Sequence, residues 1–213
     1  MPDGQARRSR IFLLSPANVN GSRGTGVRSE ASRGAIAQQL RSSDGVSLGE
    51  LFSFISALYF RGKLTYARRF AAPPACVEDR GIHVITPNAG LRSPDTRVTL
   101  DAVQAFADED IDISNPSYRQ PLERSASRLA DDLGDCDVVL LGSIATTKYV
   151  DVLMNVFGDR LLFPVDFVGR GDMSRGGLLL RQAAKGEELN YLPVAGAMRR
   201  GTRPARLPRP GTR

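Results

Sequence analysis

At 213 residues, with 41% hydrophobic and 24% charged residues, the chain is long enough for one domain with a buried core. No stretch approaches the about 18–20 apolar residues of a membrane span, and the start MPDGQARRSR leads into no signal segment, so a cytoplasmic protein without a membrane partner is expected. Cys76 and Cys136 are only a pair, which excludes a disulfide framework. The net charge of +6 equals the six arginines of MRRGTRPARLPRPGTR at 198–213, so the rest of the chain is formally neutral. Three prolines and two glycines there predict a flexible basic tail, either a solvated terminus or a phosphate contact.

In chain order, RIFLL (10–14) predicts a first buried strand and 15–30 a loop. A helix is expected over about 31–41 and a longer one over about 48–71, with Leu51, Ile55, Leu58, Tyr59 and Tyr66 at helical spacing. Ser47 and Glu50 stand in capping-box relation at its start, and Pro73 and Pro74 end it. IHVIT (82–86) predicts the next strand, leading into the loop PNAGLRSPD. The acids Asp108, Glu109, Asp110 and Asp112 separate it from a helix near 120–133. DVVLLG (137–142) is the clearest strand, followed by a helix through about 156 and a strand LLFPV (161–165). The loop FVGRGDMSRGG then precedes a short helix, LLLRQAA.

Short, continuously apolar strands alternating with helices predict a mainly parallel sheet covered on both faces. The expected layout is a flexible 1–9, a single α/β domain over 10–190 and a basic tail over 191–213. Ligands of such folds bind beyond the carboxyl ends of the strands, where loops 15–30, 86–97, 142–148 and 165–176 are expected to converge.

Several chemistries lack their residues. His83 is the one histidine and lies inside an apolar strand, which reads as a core histidine and gives neither a zinc site nor a Ser–His–Asp triad. Gly21 to Gly26 fits GxxxxG after a strand, but Val27 stands where a P-loop needs lysine. Gly169-x-Gly171 lies too late for a dinucleotide fingerprint. No cofactor is implied.

Four segments, SPANVN after the first strand, VITPN after the second, VVLLGSIATTK (138–148) and LLFPVDFVGRGDMSRGG, follow one another over residues 10–182 in an order that resembles the uracil-DNA-glycosylase-like superfamily. The segments 58–70 and 85–95 also resemble archaeosine-synthase and tRNA-guanine-transglycosylase-associated domains. The resemblance implies a three-layer αβα sandwich with a short, mainly parallel four-stranded sheet. It implies a monofunctional DNA glycosylase that flips a base out of single- or double-stranded DNA and hydrolyses its glycosidic bond. Asn18 or Asn20 would then position the attacking water, and Asn88 would read the base. The last loop lacks the usual His–Pro–Ser, which points to a modified base, bulky or hypermodified as in phage DNA, and to repair or antiviral defence.

Glycosidic cleavage builds negative charge on the departing base and positive charge on the sugar, so donors and a held water are required. Asp95 and Asp166 are the candidate general bases, and Asn88, Ser143 and Asp166 the candidate base-binding residues. Met173 is the candidate wedge. Arg170, Ser174, Arg175, Lys148 and Lys63 are candidate DNA contacts. Other readings stand beside these. Asn18, Asn20 and Asn88 suit turns; Asp166 suits an ion pair with Arg170; Asp172 suits a turn; Arg61, Lys63, Arg68 and Arg69 suit a solvated helix face. A monomer is the expected state. The alternative function is a non-catalytic nucleobase or nucleic-acid-binding module associated with base modification.

Overall fold

The computed structural model describes residues 9–75, 81–145, 147–198, 201, 202 and 204. Eight strands occur among them: β1 (Arg10–Leu14), β2 (Val46–Ser47), β3 (Ile82–Thr86), β4 (Gly90–Arg92), β5 (Arg97–Val98), β6 (Asp137–Leu141), β7 (Leu161–Pro164) and β8 (Tyr191–Pro193). Six form one sheet in the order β4-β3-β1-β6-β7-β8, and β2 pairs with β5 apart from it. The inner four, β3-β1-β6-β7, are parallel, whereas β4 and β8 are antiparallel edge strands. The sheet therefore has six strands, not four.

Side chains alternate across β1, so one sequence feeds two cores. Phe12 and Leu14 enter one cluster, Ile11 and Leu13 the other. The first cluster is closed by α1 (Ser22–Arg28), α2 (Ala35–Arg41), α3 (Leu48–Phe70), α4 (Leu100–Ala107) and α7 (Asp172–Lys185). The second is closed by α5 (Pro116–Leu133) and α6 (Thr147–Phe157). Burial on both faces explains why β1, β3 and β6 read as unbroken apolar runs. Each fully buried Leu or Phe there contributes about 1.5–3 kcal/mol of transfer free energy.

The long helix α3 begins as its sequence predicts, with the Ser47 hydroxyl accepting from Glu50 N at 3.2 Å. It does not stay straight. Ala57 has φ 44° and ψ −110°, and the chain folds back on itself there. Phe52 and Phe60 meet edge to face at 5.3 Å, and a side chain at Gly49 would touch Leu64. Fifteen residues along an unbroken helix would hold Gly49 and Leu64 about 22 Å apart. The segments 48–56 and 58–70 are thus two antiparallel helical arms. The second arm packs closely on α7, where Gly62 and Gly176 leave no room for a side chain between the helices.

Four expectations on local structure change. The glycine-rich stretch 15–30 contains α1, whose Gly24 and Val27 are buried. The loop 86–97 carries β4 and begins β5, and α4 precedes the acidic stretch. Helix α7 starts at Asp172, so Met173, Ser174 and Arg175 form its first turn and not a loop. Residues 191–193, expected in the tail, pair with β7, and Val194 is buried behind them. Most of the arginine-rich segment, like 1–8 and Cys76, lies outside the described residues. Among the described residues no helix is long and apolar enough to cross a membrane.

Candidate active site at the carboxyl edge of the sheet

Beyond the carboxyl ends of β1 and β6 lies a pocket of about 250 Å³. Ser15, Pro16 and Asn18 follow β1 into it, and Ser143 follows β6. Ser56 and Tyr59 flank the α3 reversal at Ala57, Lys148 and Tyr149 come from the first turn of α6, and Asp172 opens α7. Ile111 completes the wall. The position is the one parallel α/β sheets reserve for ligands.

Lys63 lies at the base of this arrangement. It is only 1% exposed, on the second arm of α3, one turn beyond Tyr59. Its Nζ donates to the Ser15 carbonyl at 2.6 Å and to Ser15 Oγ at 2.9 Å. The amine also sits over the rings of Tyr59 at 4.4 Å and Phe60 at 4.9 Å. These partners are neutral oxygens and π faces, and burial pushes the amine's pKa down to about 7. Asp172 acts in the opposite direction, and Arg175 reinforces the lowering.

Ser15 is equally well fixed. Its N donates to Leu141 O at 3.2 Å, and its hydroxyl lies 3.3 Å from the same carbonyl. The Tyr149 hydroxyl reaches this group while accepting from Ser143 N at 2.9 Å and donating to Ser143 O at 3.0 Å. Gly142 makes that convergence possible. A side chain there would come within 2.9 Å of the Tyr149 hydroxyl and 3.2 Å of Ser15 Oγ. Tyr59 adds a buried hydroxyl that has no well-formed hydrogen bond among the described residues, and burial raises its pKa. The hydroxyl-bearing Ser15, Tyr59 and Tyr149 thus border one cavity, and the buried Lys63 amine, of near-neutral pKa, is joined to Ser15, an arrangement suited to proton transfer and nucleophilic attack.

Of the expected site residues, Asn18, Ser143 and Lys148 line this pocket. Asn18 also accepts from Asn20 N at 3.0 Å, the local turn its sequence suits. The Asn20 amide is committed elsewhere, donating to Ala107 O at 2.9 Å and accepting from Arg28 at 3.0 Å. Asn88 does the same work from the other side, donating to Ala105 O at 3.1 Å at the end of α4. It borders a separate open cleft with His83, Arg92, Arg124 and Arg128. Asp95 pairs at 3.3 Å with Arg68 on an exposed surface. Loop 86–97 therefore contributes nothing to the pocket wall, and the α3 reversal takes its place.

The basic candidates separate in the same way. Lys63 faces inward, so it is not a surface contact for phosphate, and Arg61, Arg68 and Arg69 alone form the solvated face. Arg175 is also turned inward, donating to Phe167 O at 3.0 Å and 3.2 Å. Arg170 donates to the Asp166 carbonyl at 2.9 Å and to Ser174 Oγ at 3.3 Å, so its bond to Asp166 runs through the backbone oxygen. Neither Asp166 nor Asp95 lines the pocket; Asp172, expected as a turn residue, does. Lys148 is exposed, and Met173 is 67% exposed beside Asp172.

Sequence reasoning missed Ser15, Tyr59, Tyr149 and Asp172. The one legible signal was Lys63 itself, a charged residue among Tyr59, Phe60, Leu64, Tyr66 and Ala67 on the buried side of the helix. Among the described residues no group of three or more His, Cys, Asp or Glu side chains is placed to hold a metal ion. Comparison with protein-family models, with curated proteins and with solved structures finds no match.

Proposed function

We propose that the pocket receives a single base displaced from DNA and that the protein is a monofunctional DNA glycosylase of the uracil-DNA-glycosylase-like type, acting on a modified base. The observation that carries this reading is the meeting of SPANVN and LGSIATTK. Asn18 from the first, and Ser143 and Lys148 from the second, line one cavity at the carboxyl edge of β1 and β6. In this reading Asn18 and Asp172 orient the water, while Ser143 and Lys148 donate to the base as negative charge develops on it. Met173, exposed beside the pocket at the start of α7, fills the gap left in the stack.

The test is abasic-site formation on single- and double-stranded oligonucleotides carrying a panel of modified pyrimidines and purines. Release of one base, with Asn18→Ala lowering turnover and leaving DNA affinity within about twofold, supports the reading. Binding without release across the panel contradicts it and favours a non-catalytic nucleobase-binding module.

A further inference from the structure

We infer that Ser15 is an activated nucleophile, with Lys63 as its base, for attack on the carbonyl carbon of a small carboxylic ester seated in the pocket. This goes beyond the glycosylase reading and does not depend on it. Ser15 Oγ is 2.9 Å from Lys63 Nζ, the residue borders the cavity, and the amine behind it is screened from solvent. A nucleophile within hydrogen-bond reach of a base, with that base held by a third group, is the recurring logic of covalent catalysis. Here the third group is the Ser15 carbonyl, which takes one N–H of the amine at 2.6 Å and fixes Nζ beside the hydroxyl. In the resting arrangement Nζ donates to Oγ and the hydroxyl donates to Leu141 O at 3.3 Å, so in the attack the hydroxyl turns its proton from that carbonyl to the lone pair of the neutral amine.

The step balances within the pocket. Ser15 Oγ bonds to the carbonyl carbon, its proton passes to the Lys63 lone pair, and the carbonyl electrons move to oxygen. The Tyr59 hydroxyl, buried and without a well-formed partner among the described residues, is the donor available to that oxygen. When the tetrahedral centre collapses, the C–O bond to the leaving alkoxide breaks and the alkoxide takes the proton from Lys63. Water then repeats the exchange on the acyl-serine and releases the carboxylic acid. The attack requires a neutral amine. The charged and titratable groups that act on the pair are Tyr59 from α3, Tyr149 from α6, and Asp172 and Arg175 from α7. Burial, opposed by Asp172 and reinforced by Arg175, brings the amine's pKa to about 7, so a useful fraction is neutral at physiological pH.

The experiment is labelling of the full chain with a fluorophosphonate, read by peptide mass mapping, with no nucleic acid present. The expected result is an adduct on Ser15 whose rate rises with pH through about 7. Lys63→Met is expected to slow it by about 100-fold or more, and Lys63→Arg to fail to restore it. An adduct elsewhere, no adduct, or a Ser15 rate unchanged in Lys63→Met overturns the inference. If Lys63→Met does not fold, the wild-type profile decides, because a rate flat from pH 5 to 9 is incompatible with a lysine base. Labelling needs no DNA, so its outcome and that of base release are read separately.

Discussion

The pocket beyond β1 and β6 and the hairpin of β3 and β4 both present asparagine, arginine or lysine after a buried parallel strand, yet they use these residues oppositely. At the hairpin and in the loop facing it, the amides of Asn88 and Asn20 hold two carbonyls at the end of α4, and Asp95 makes an exposed ion pair with Arg68. At the pocket, Ser15 and Lys63 are buried against one another, and the buried Tyr59 hydroxyl has no well-formed hydrogen bond among the described residues. Polar groups that finish a helix have their partners within the fold. Polar groups buried at a cavity with capacity left over are the ones available to a ligand.

The largest expected effect separates these regions by pH. Lys63 titrates near 7 in the folded protein and at about 10.4 when unfolded, so between these values the unfolded chain binds more protons. Stability gains from Lys63 as pH rises through this window, by up to about 1.4 kcal/mol per pH unit, and the penalty is full below about pH 7. Urea denaturation across pH 6–10 is expected to show this slope in the wild type and its loss in Lys63→Met. Asp95→Ala, at the exposed pair, is expected to leave the slope intact and to cost less than about 0.5 kcal/mol.

Gly142→Val tests the packing of the pocket. A side chain at 142 collides with the Tyr149 hydroxyl and Ser15 Oγ, so it is expected to cost about 1–3 kcal/mol in urea denaturation. Smaller still are Asn20→Ala and Asn88→Ala, each expected to lose about 1 kcal/mol through the freed α4 carbonyls. Asn18→Ala, whose contact is one local turn, is expected to lose less than either and to affect ligand binding instead. Equal losses at all three asparagines would erase the distinction between the two regions.

The sequence made the sheet legible and the site only partly so. β1, β3, β6 and β7 were readable because strands buried on both faces leave unbroken apolar runs bounded by turn residues. Helix α1 was hidden by its three flanking or internal glycines, which favour a loop in isolation and form a helix under the packing of Val27. Edge strands β4 and β8 are three residues each, too short for any period. Lys63 was misplaced because periodicity over 48–70 presumes one axis, and the reversal at Ala57 carries no glycine or proline to announce it. Arg61, Arg68 and Arg69 then made the whole arm read as solvated. That reversal also stores strain: Ala57 is the one residue other than glycine with positive φ among the described residues, and it borders Ser56 at the pocket.

The cavity beyond β1 and β6 is backed by a buried amine of near-neutral pKa joined to Ser15. The state of that amine is tested most directly by following the ε-carbon resonance of Lys63 by NMR between pH 5 and 11, assigned by its loss in Lys63→Met. A midpoint near 7 is expected. A midpoint at the ordinary lysine value of about 10.4 would contradict it.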